Sequence, residues 1–338
     1  MSSSTTALQL LDLIQSHRIT SVIYVAAKLG IADLLFAGPK SVSELANATG
    51  ANQAALARLL TALATIGLCT RSDDDSYHLT DTGAVLSGTA NTSFKAWAIF
   101  EGEMLAKSWS GMLETITTGS TAAQLLGFNS SFDMMARSPE NVSIFNAAMA
   151  DLTRLVTIDI LASYDFSRVL HLMDVGGGSG ELIGAVVKQN PHIRGTVLDL
   201  ERCAPAARAH LAEIGVGSRA SFMAGDFFQS VPSGADAIVL KSVIHDWDDQ
   251  LSCVILQNCC RALPEGGVLL LIERIVPQSP IACDEHRSHA LSDLNMLRGP
   301  GGKERTEEQY RDLLGGAGLG VTSVRGAGRF AIIEASPS

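Results

Sequence analysis

The chain has 338 residues, 46% of them hydrophobic, so it is long enough for one large or two ordinary domains with a substantial core. Twenty-five lysines and arginines against 35 aspartates and glutamates give a formal net charge of −10, which disfavours a nucleic-acid partner. No apolar run approaches the roughly 20 residues of a membrane-spanning helix, and the start of the chain lacks a secretory-signal layout, so we expect a cytoplasmic protein without a membrane partner.

The first part of the chain is predicted to be mainly helical. From Leu8 to about Thr89, apolar residues recur at three- and four-residue spacing. Ser41 and Glu44 form a predicted capping box, and a later helix is expected to begin after Asn52 and to end at Gly67. The following segment reads as strand, polar turn and strand, which makes the whole similar to a winged helix-turn-helix.

Two functions compete for this winged-helix-like part. A DNA-reading helix needs several cations, whereas Arg58 is the one basic residue between Asn52 and Ile66. A regulator that binds DNA is therefore the weaker alternative. The crowded apolar residues between Val22 and Ala27 suggest burial against a second subunit. We expect residues 1–105 to form a dimerisation domain and residues 106–338 to form a helical connector followed by the main domain.

The connector, from about residue 90 to 165, contains aromatic residues and methionines at helical spacing. Ordinary helix packing explains them, and a role in lining an acceptor pocket is the alternative. The candidates for this pocket are Trp97, Phe100, Met104, Phe145 and Met149.

From Val169 onward, short apolar runs alternate with longer amphipathic stretches. Their continuous apolarity predicts a buried parallel sheet with helices on both faces, that is, a doubly wound α/β domain. The last two alternating segments, around a turn that contains glycine, predict an antiparallel hairpin at the edge of the sheet.

The clearest local signal is the glycine-rich loop that follows the first of these strands. Residues 174–180 read Asp-Val-Gly-Gly-Gly-Ser-Gly and lead into a helix, which suits a ligand held against the backbone. Asp199 ends the next strand, where a carboxylate can bind ribose hydroxyls, and Asp226 with Phe227 follows the third. Glu181 stands where a dinucleotide site would have its third glycine, which favours S-adenosylmethionine over a dinucleotide.

Six motifs in order carry a family resemblance: DVGGGSG, LDLERCAP, GDFF, LKSVIHDWDD, LPEGGVLLLIE and GPGGKERT. The chain resembles the two-domain small-molecule O-methyltransferases, such as the caffeate, acetylserotonin and hydroxyneurosporene O-methyltransferases. The resemblance implies a class I methyltransferase fold, a homodimer built by the N-terminal domain, and S-adenosyl-L-homocysteine as the product. It also implies that the methyl donor is held by Gly176, Asp199, Asp226, Phe227 and Lys241.

His245 is the candidate general base, since it follows the fourth strand, at the sheet edge where parallel sheets bind ligands. Imidazole, with a reference pKa of about 6.5, can take a proton from a hydroxyl while the methyl group is transferred. By the resemblance, Glu273 and Glu304 flank the base. The sequence leaves open whether Asp246 is instead the nearest carboxylate.

We expect the acceptor to be a small aromatic or polyketide-like molecule with a phenolic hydroxyl, and Asn295 and Met296 are further candidates for contacting it. The six cysteines and eight histidines show no metal-binding spacing, so no metal is expected. Relatives of this fold also catalyse hydroxylation, decarboxylation or pericyclic reactions, and such a repurposed activity is the alternative to O-methylation.

Overall fold

The computed structural model describes residues 3–338, with side chains from residue 5 onward. The chain forms two compact units. The first contains the residues up to 110 together with residues 138–152, and the second contains residues 111–137 and 153–338. Within the described chain, none of the helices combines the length and apolarity needed to cross a membrane.

The first unit is mainly helical, as predicted. Its elements are α1 (Ser3–Gln15), α2 (His17–Lys28), α3 (Ile31–Phe36), β1 (Lys40–Ser41), α4 (Val42–Thr49), α5 (Gln53–Thr65), β2 (Cys69–Arg71), β3 (Ser76–Leu79), α6 (Asp81–Ala84), α7 (Lys95–Phe100), a π-helical turn (Glu101–Leu105) and α8 (Ala106–Trp109). The predicted strand-turn-strand is an antiparallel pair of β2 and β3, and β1 adds a third strand in the order β1-β3-β2. The capping box of Ser41 and Glu44 is confirmed.

The core of this unit differs from the expectation in one respect. Ala26 and Ala27 are buried within the unit itself, and Val22 and Ile23 pack against the same core, so this stretch is largely covered without a second subunit. Most of the exposed apolar side chains of the unit lie instead on α1 and at the start of α2, namely Leu8, Leu10, Leu11, Leu13, Ile14 and Ile19. Val25 and Phe36 are exposed as well.

Helices α9 to α12 follow α8 in the chain. They are α9 (Met112–Thr118), α10 (Ala122–Leu125), α11 (Ser131–Ala136) and α12 (Pro139–Ser163), the last of which contributes residues to both units. The remaining elements are β4 (His171–Val175), α13 (Glu181–Gln189), β5 (Arg194–Asp199), α14 (Ala204–Glu213), β6 (Ala220–Ala224), β7 (Ala237–Lys241), α15 (Asp249–Ala262), β8 (Val268–Glu273), α16 (Asp284–Arg298), α17 (Glu307–Gly316), β9 (Leu319–Ala327) and β10 (Phe330–Pro337).

The second unit is built on a seven-stranded sheet in the order β6-β5-β4-β7-β8-β10-β9. Strands β4 to β8 are parallel, and β10 pairs antiparallel with both β8 and β9, which confirms the predicted sheet and terminal hairpin. The central strands β4, β7 and β8 are almost wholly buried, because helices cover the sheet and apolar side chains fill both faces. The chain winds outward from β4 to β6 and then returns to β7 on the other side of β4, so the switch point lies between β4 and β7.

Candidate active site

His245 lies in a short 3₁₀ turn, Ile244–Asp246, just beyond the carboxyl end of β7. Ser242 makes the sharp exit from the strand with φ of +55°, a conformation that non-glycine residues seldom adopt outside strained functional segments. Its hydroxyl oxygen is buried without a hydrogen-bond partner. His245 is therefore presented at the switch point of the sheet by a strained and tightly held segment.

Glu273, the last residue of β8, fixes the backbone of this turn by hydrogen bonds. Its Oε1 accepts hydrogen bonds from the backbone N–H groups of Val243 (3.0 Å) and Ile244 (2.8 Å), and more weakly from that of His245 (3.4 Å). Its Oε2 lies 3.2 Å from Nδ1 of the His245 imidazole. The carboxylate of Glu273 thus contacts both the backbone of the turn and the imidazole ring of His245.

Glu304 approaches the same ring nitrogen from another segment. One of its oxygens, Oε1, lies 3.5 Å from His245 Nδ1 and accepts a hydrogen bond of 2.7 Å from the Ser292 hydroxyl. The backbone N–H of Glu304 donates to the carboxylate of Asp293, which ties Glu304 to α16. Asp246 faces the opposite ring nitrogen, Nε2, at 3.6 Å. The two predicted glutamates therefore flank Nδ1, and Glu273 is the nearest carboxylate.

The charges of these groups depend on one another. Burial by itself would lower the pKa of His245, but the negative charges of Glu273, Glu304 and Asp246 outweigh it and raise the pKa to about 10. Burial raises the pKa of Glu273 to about 7, against the attraction of the imidazolium. Burial also opposes ionisation of Glu304, yet His245 and Ser292 hold its pKa below the usual value. The imidazole is a stronger base than its reference pKa of 6.5 suggests.

The same three side chains are close enough to bind a metal ion. One ligand atom from each of His245, Glu273 and Glu304 lies within 4.8 Å of the other two. Nδ1 of His245 and Oε2 of both glutamates are buried and lack an aligned hydrogen bond. An imidazolium beside two carboxylates accounts for this arrangement through charge alone, so the spacing by itself does not call for an ion.

The glycine-rich loop lies beside this turn, between β4 and α13. Gly178 has φ of +55°, and a methyl group added to it would meet no atom within 4 Å, so the loop backbone faces open space. Gly176 is in tight contact instead, since an added Cβ would lie 2.9 Å from Val243. A backbone exposed at the start of a helix can bind a ligand closely, and the geometry of the loop fits the predicted donor.

The other predicted donor residues lie at the same edge of the sheet. Asp199 ends β5 and accepts hydrogen bonds from the N–H groups of Gly178 (2.9 Å) and Leu200 (2.7 Å). Asp226 follows β6 and accepts from the N–H of Phe228. Lys241 ends β7, where its Nζ donates to Thr153, and burial lowers its pKa to about 8 against the attraction of Asp174.

Glu181 has a role that sequence reasoning did not foresee. Its carboxylate, at the start of α13, pairs with Arg154 at 2.8 Å and lies 3.4 Å from His210. The acid beside the loop is thus balanced by the guanidinium of Arg154. The sequence marked Glu181 as the residue that replaces the third glycine of a dinucleotide site, but its ion pair could not be predicted because Arg154 is 27 residues away.

The predicted acceptor residues fall into two groups. In the first unit, the rings of Trp97, Phe100 and Phe145 form an edge-to-face chain with centroid distances of 5.8 and 5.7 Å. Met104 lies in the π-helical turn, and Met149 on α12 is half-buried. In the second unit, Asn295 and Met296 lie on α16, where Asn295 accepts a hydrogen bond from Arg298.

Comparison with known proteins identifies both parts of the chain. Residues 109–320 match the O-methyltransferase domain family, and residues 11–88 match the O-methyltransferase dimerisation domain. The phenazine O-methyltransferase PhzM of Lysobacter antibioticus is 37% identical over 97% of this chain and 95% of its own length. The aclacinomycin 10-hydroxylase RdmB of Streptomyces purpurascens is 32% identical over 90% of this chain and 82% of its own.

Solved structures agree with these matches. The crystal structure of LaPhzM is 37% identical, covers 98% of this chain and 99% of that one, and superposes with a TM-score of 0.92. An O-methyltransferase of neocarzinostatin biosynthesis, NcsB1, was solved with S-adenosylmethionine and 2-hydroxy-5-methyl naphthoic acid. It is 32% identical, with 95% and 96% coverage and a TM-score of 0.76. The likeness spans both units of the chain.

Proposed function

Because this chain belongs to the O-methyltransferase family, in which a dimerisation domain precedes an S-adenosylmethionine-dependent transferase domain, we propose that it methylates a phenolic hydroxyl of a small aromatic metabolite with His245 as the general base. The observation that carries this proposal is the position of His245. It lies beside two buried glutamates at the switch point of the sheet, in the segment whose Val243 packs against Gly176 of the glycine-rich loop.

The geometry assigns a separate task to each ring nitrogen. Nδ1 faces Glu273 and Glu304 and carries the proton that both carboxylates attract. Nε2 is then the nitrogen that accepts the proton of the acceptor hydroxyl. When bound, S-adenosylmethionine supplies an electrophilic methyl group. The protein orients the hydroxyl and removes its proton, and such general-base assistance is typically worth about 10² to 10⁴ in rate.

The raised pKa of His245 suits a phenolic acceptor. Transfer of a proton from a phenol of pKa about 10 to an imidazole of ordinary basicity is uphill, since each pKa unit is worth about 1.4 kcal/mol. With the pKa of His245 raised to about 10, donor and acceptor of the proton are matched. Glu273 and Glu304 are therefore proposed to raise the basicity of His245 as well as to hold its orientation.

We assign donor binding to the five residues at the carboxyl ends of β4 to β7. Gly176 packs against Val243 and so fixes the loop, whose open face at Gly178 we assign to the ligand. The carboxylates of Asp199 and Asp226 are proposed to accept hydrogen bonds from the ribose and the adenine amino group. Phe227 supplies an apolar ring next to Gly176, and Lys241 completes the edge of the site.

An aromatic acceptor is supported by two observations. The NcsB1 complex contains a hydroxynaphthoic acid, and the first unit of this chain contains the ring cluster of Trp97, Phe100 and Phe145. Planar rings suit such surfaces. We include Met104, Met149, Asn295 and Met296 as candidates for acceptor contacts. The match to a dimerisation domain supports a homodimer.

The test is a panel of phenolic acceptors incubated with methyl-labelled S-adenosylmethionine and analysed by mass spectrometry. Gain of one labelled methyl group, lost in His245→Ala while S-adenosylhomocysteine still binds, supports the proposal. Gain of oxygen instead would support hydroxylation, for which the 10-hydroxylase RdmB is the precedent, and loss of carbon dioxide would support decarboxylation. Full turnover by His245→Ala would remove His245 from the role of base.

A further inference from the structure

Arg305 is the largest fully buried side chain of the described residues, and it lies against the turn that carries His245. A guanidinium that is 0% exposed must have its donors paired, because an unpaired buried charge is strongly destabilising. Nη1 donates to the Ile244 carbonyl at 3.1 Å, and Nη2 donates to the Trp247 carbonyl at 2.8 Å. These two carbonyls lie on either side of His245 and Asp246.

The same segment makes two further contacts with the turn. The backbone N–H of Lys303 donates to the His245 carbonyl at 2.9 Å. A Cβ added to Gly302 would lie 2.0 Å from that carbonyl oxygen, so the two backbones touch there without room for a side chain. Residues 302–305 therefore contact the carbonyls of Ile244, His245 and Trp247, while Glu273 accepts the N–H groups on the other side.

Arg305 also follows Glu304 directly in the chain. Its carbonyl accepts a hydrogen bond of 3.0 Å from Val276 N–H, and it forms a parallel bridge with Ile275, just beyond the end of β8. Since β8 ends with Glu273, this bridge ties the backbone next to Glu304 to the backbone next to Glu273. The side chain of Arg305 thus contacts the His245 turn, while its backbone joins the segments that carry the two carboxylates.

We propose that Arg305 is a positioning residue for methyl transfer, which fixes the carbonyl side of the His245 turn so that Nδ1 stays at the two glutamates and Nε2 faces the acceptor. The inference rests on the proposed function of His245. The planar fork of an arginine reaches two carbonyls at once, which the single ammonium of a lysine cannot do in the same geometry.

A purely structural explanation predicts a different pattern. Arg305 also pairs with the carboxylate of Asp249 through Nε (3.0 Å) and Nη2 (2.8 Å). Asp249 is mostly exposed, and its carboxylate forms a second ion pair with the Lys303 ammonium at 2.7 Å. If this ion pair were the purpose of Arg305, removal of Asp249 would be as damaging as a change at Arg305. If the carbonyl contacts are its purpose, Asp249 and Lys303 are dispensable.

The experiment compares R305K with the matched controls D249N and K303M in the full-length protein. Circular dichroism and thermal unfolding check the fold, calorimetry with S-adenosylhomocysteine gives the donor Kd, and steady-state kinetics give kcat, KM and the pH profile.

We expect R305K to lower kcat about 10²-fold, the size of effect that a displacement of roughly 1 Å produces, with the donor Kd and acceptor KM changed less than about threefold. Its pH profile should also move to lower pH, because the imidazole leaves the carboxylates that raise its pKa. D249N and K303M should remain near wild type.

Three results would overturn the inference: a near-normal kcat in folded R305K, equal damage in D249N, or an unchanged pH profile in a slow R305K. If R305K does not fold, Gly302→Ala decides, because its methyl group pushes on the His245 carbonyl without altering a buried charge. Loss of kcat with intact donor binding then supports the inference, and normal kcat contradicts it. An active His245→Ala would refute the proposed base, whereas an inactive His245→Ala with a normal R305K refutes the role of Arg305 alone.

Discussion

Nδ1 of His245 lies 3.2 Å from Oε2 of Glu273, while the other oxygen of Glu273 accepts the backbone N–H groups that open the His245 turn. The carboxylate that attracts the ring proton is therefore also the one that shapes the loop. Glu273 therefore acts through its negative charge on the ring and through its hydrogen bonds to the backbone. Replacement by glutamine removes the charge and keeps an oxygen that can accept the hydrogen bonds, so it tests the two contributions separately.

We expect Glu273→Gln to lower kcat about 10² to 10⁴-fold with little effect on donor affinity. The amide oxygen can still accept the N–H groups of Val243 and Ile244, so the turn is retained. Its NH₂ group would face Nδ1, which favours the tautomer with the proton on Nε2 and removes the lone pair that accepts the acceptor proton. Kinetics and calorimetry measure both quantities. Glu265→Gln, at an exposed turn, is the control. Normal turnover by Glu273→Gln would contradict the assigned tautomer.

The pH dependence of turnover reports on the basicity of His245. His245 must be neutral to accept a proton, and its pKa is raised to about 10, so kcat should rise with pH through the alkaline range. Glu304→Gln removes one of the negative charges that raise this pKa, so the midpoint should move to lower pH. The measurement uses an acceptor whose own pKa lies outside the scanned range. An unchanged or higher midpoint in Glu304→Gln would show that the charge of Glu304 does not raise the pKa of His245.

Sequence patterns could single out the proposed donor residues because their signals are local. Gly176 and Asp199 occur at strand ends, where apolar runs stop and polar or glycine residues begin, and the structure places both at the same edge of the sheet. By contrast, the hydrogen bond from Arg305 to the Ile244 carbonyl joins residues 61 positions apart. Hydrophobic periodicity along the sequence gives no information on such a contact, so it could not be predicted. The pKa of His245 was not predictable either, since it depends on the burial of two glutamates from distant segments.

Gly178 tests whether the open face of the loop is the donor site. Alanine at φ of +55° costs about 1 to 3 kcal/mol in backbone strain, and its methyl group would occupy the open space that we assign to the donor. Gly215, after α14, has φ of +77° and equally open surroundings, so Gly215→Ala is a matched control for strain. Both variants should lose similar stability in thermal unfolding, and Gly178→Ala alone should bind S-adenosylhomocysteine more weakly. Equal donor affinity in the two variants would place the donor elsewhere.

Metal removal should leave the enzyme active. The spacing of His245, Glu273 and Glu304 admits an ion, but an imidazolium already balances the carboxylates and the proposed reaction assigns no step to a metal. We expect dialysis against a chelator to leave kcat unchanged. Added Zn²⁺ should inhibit, since it prefers nitrogen and carboxylate ligands and would occupy the base. Activity that falls on chelation and returns with one metal would show that the cluster is a metal centre.

The apolar face of α1 is the last feature to test. Leu10 and Ile14 are one helical turn apart and 59% and 63% exposed, and several other exposed apolar residues of α1 surround them. A contiguous exposed apolar surface of this kind marks a protein interface, in agreement with the match to a dimerisation domain. We expect the double variant L10E/I14E to convert a dimer into a monomer in light scattering, because two charges would be buried in each copy of the interface. Leu170→Glu, at a 65% exposed position of the second unit, should remain dimeric. A double variant that still dimerises at micromolar concentration would show that α1 lies outside the interface.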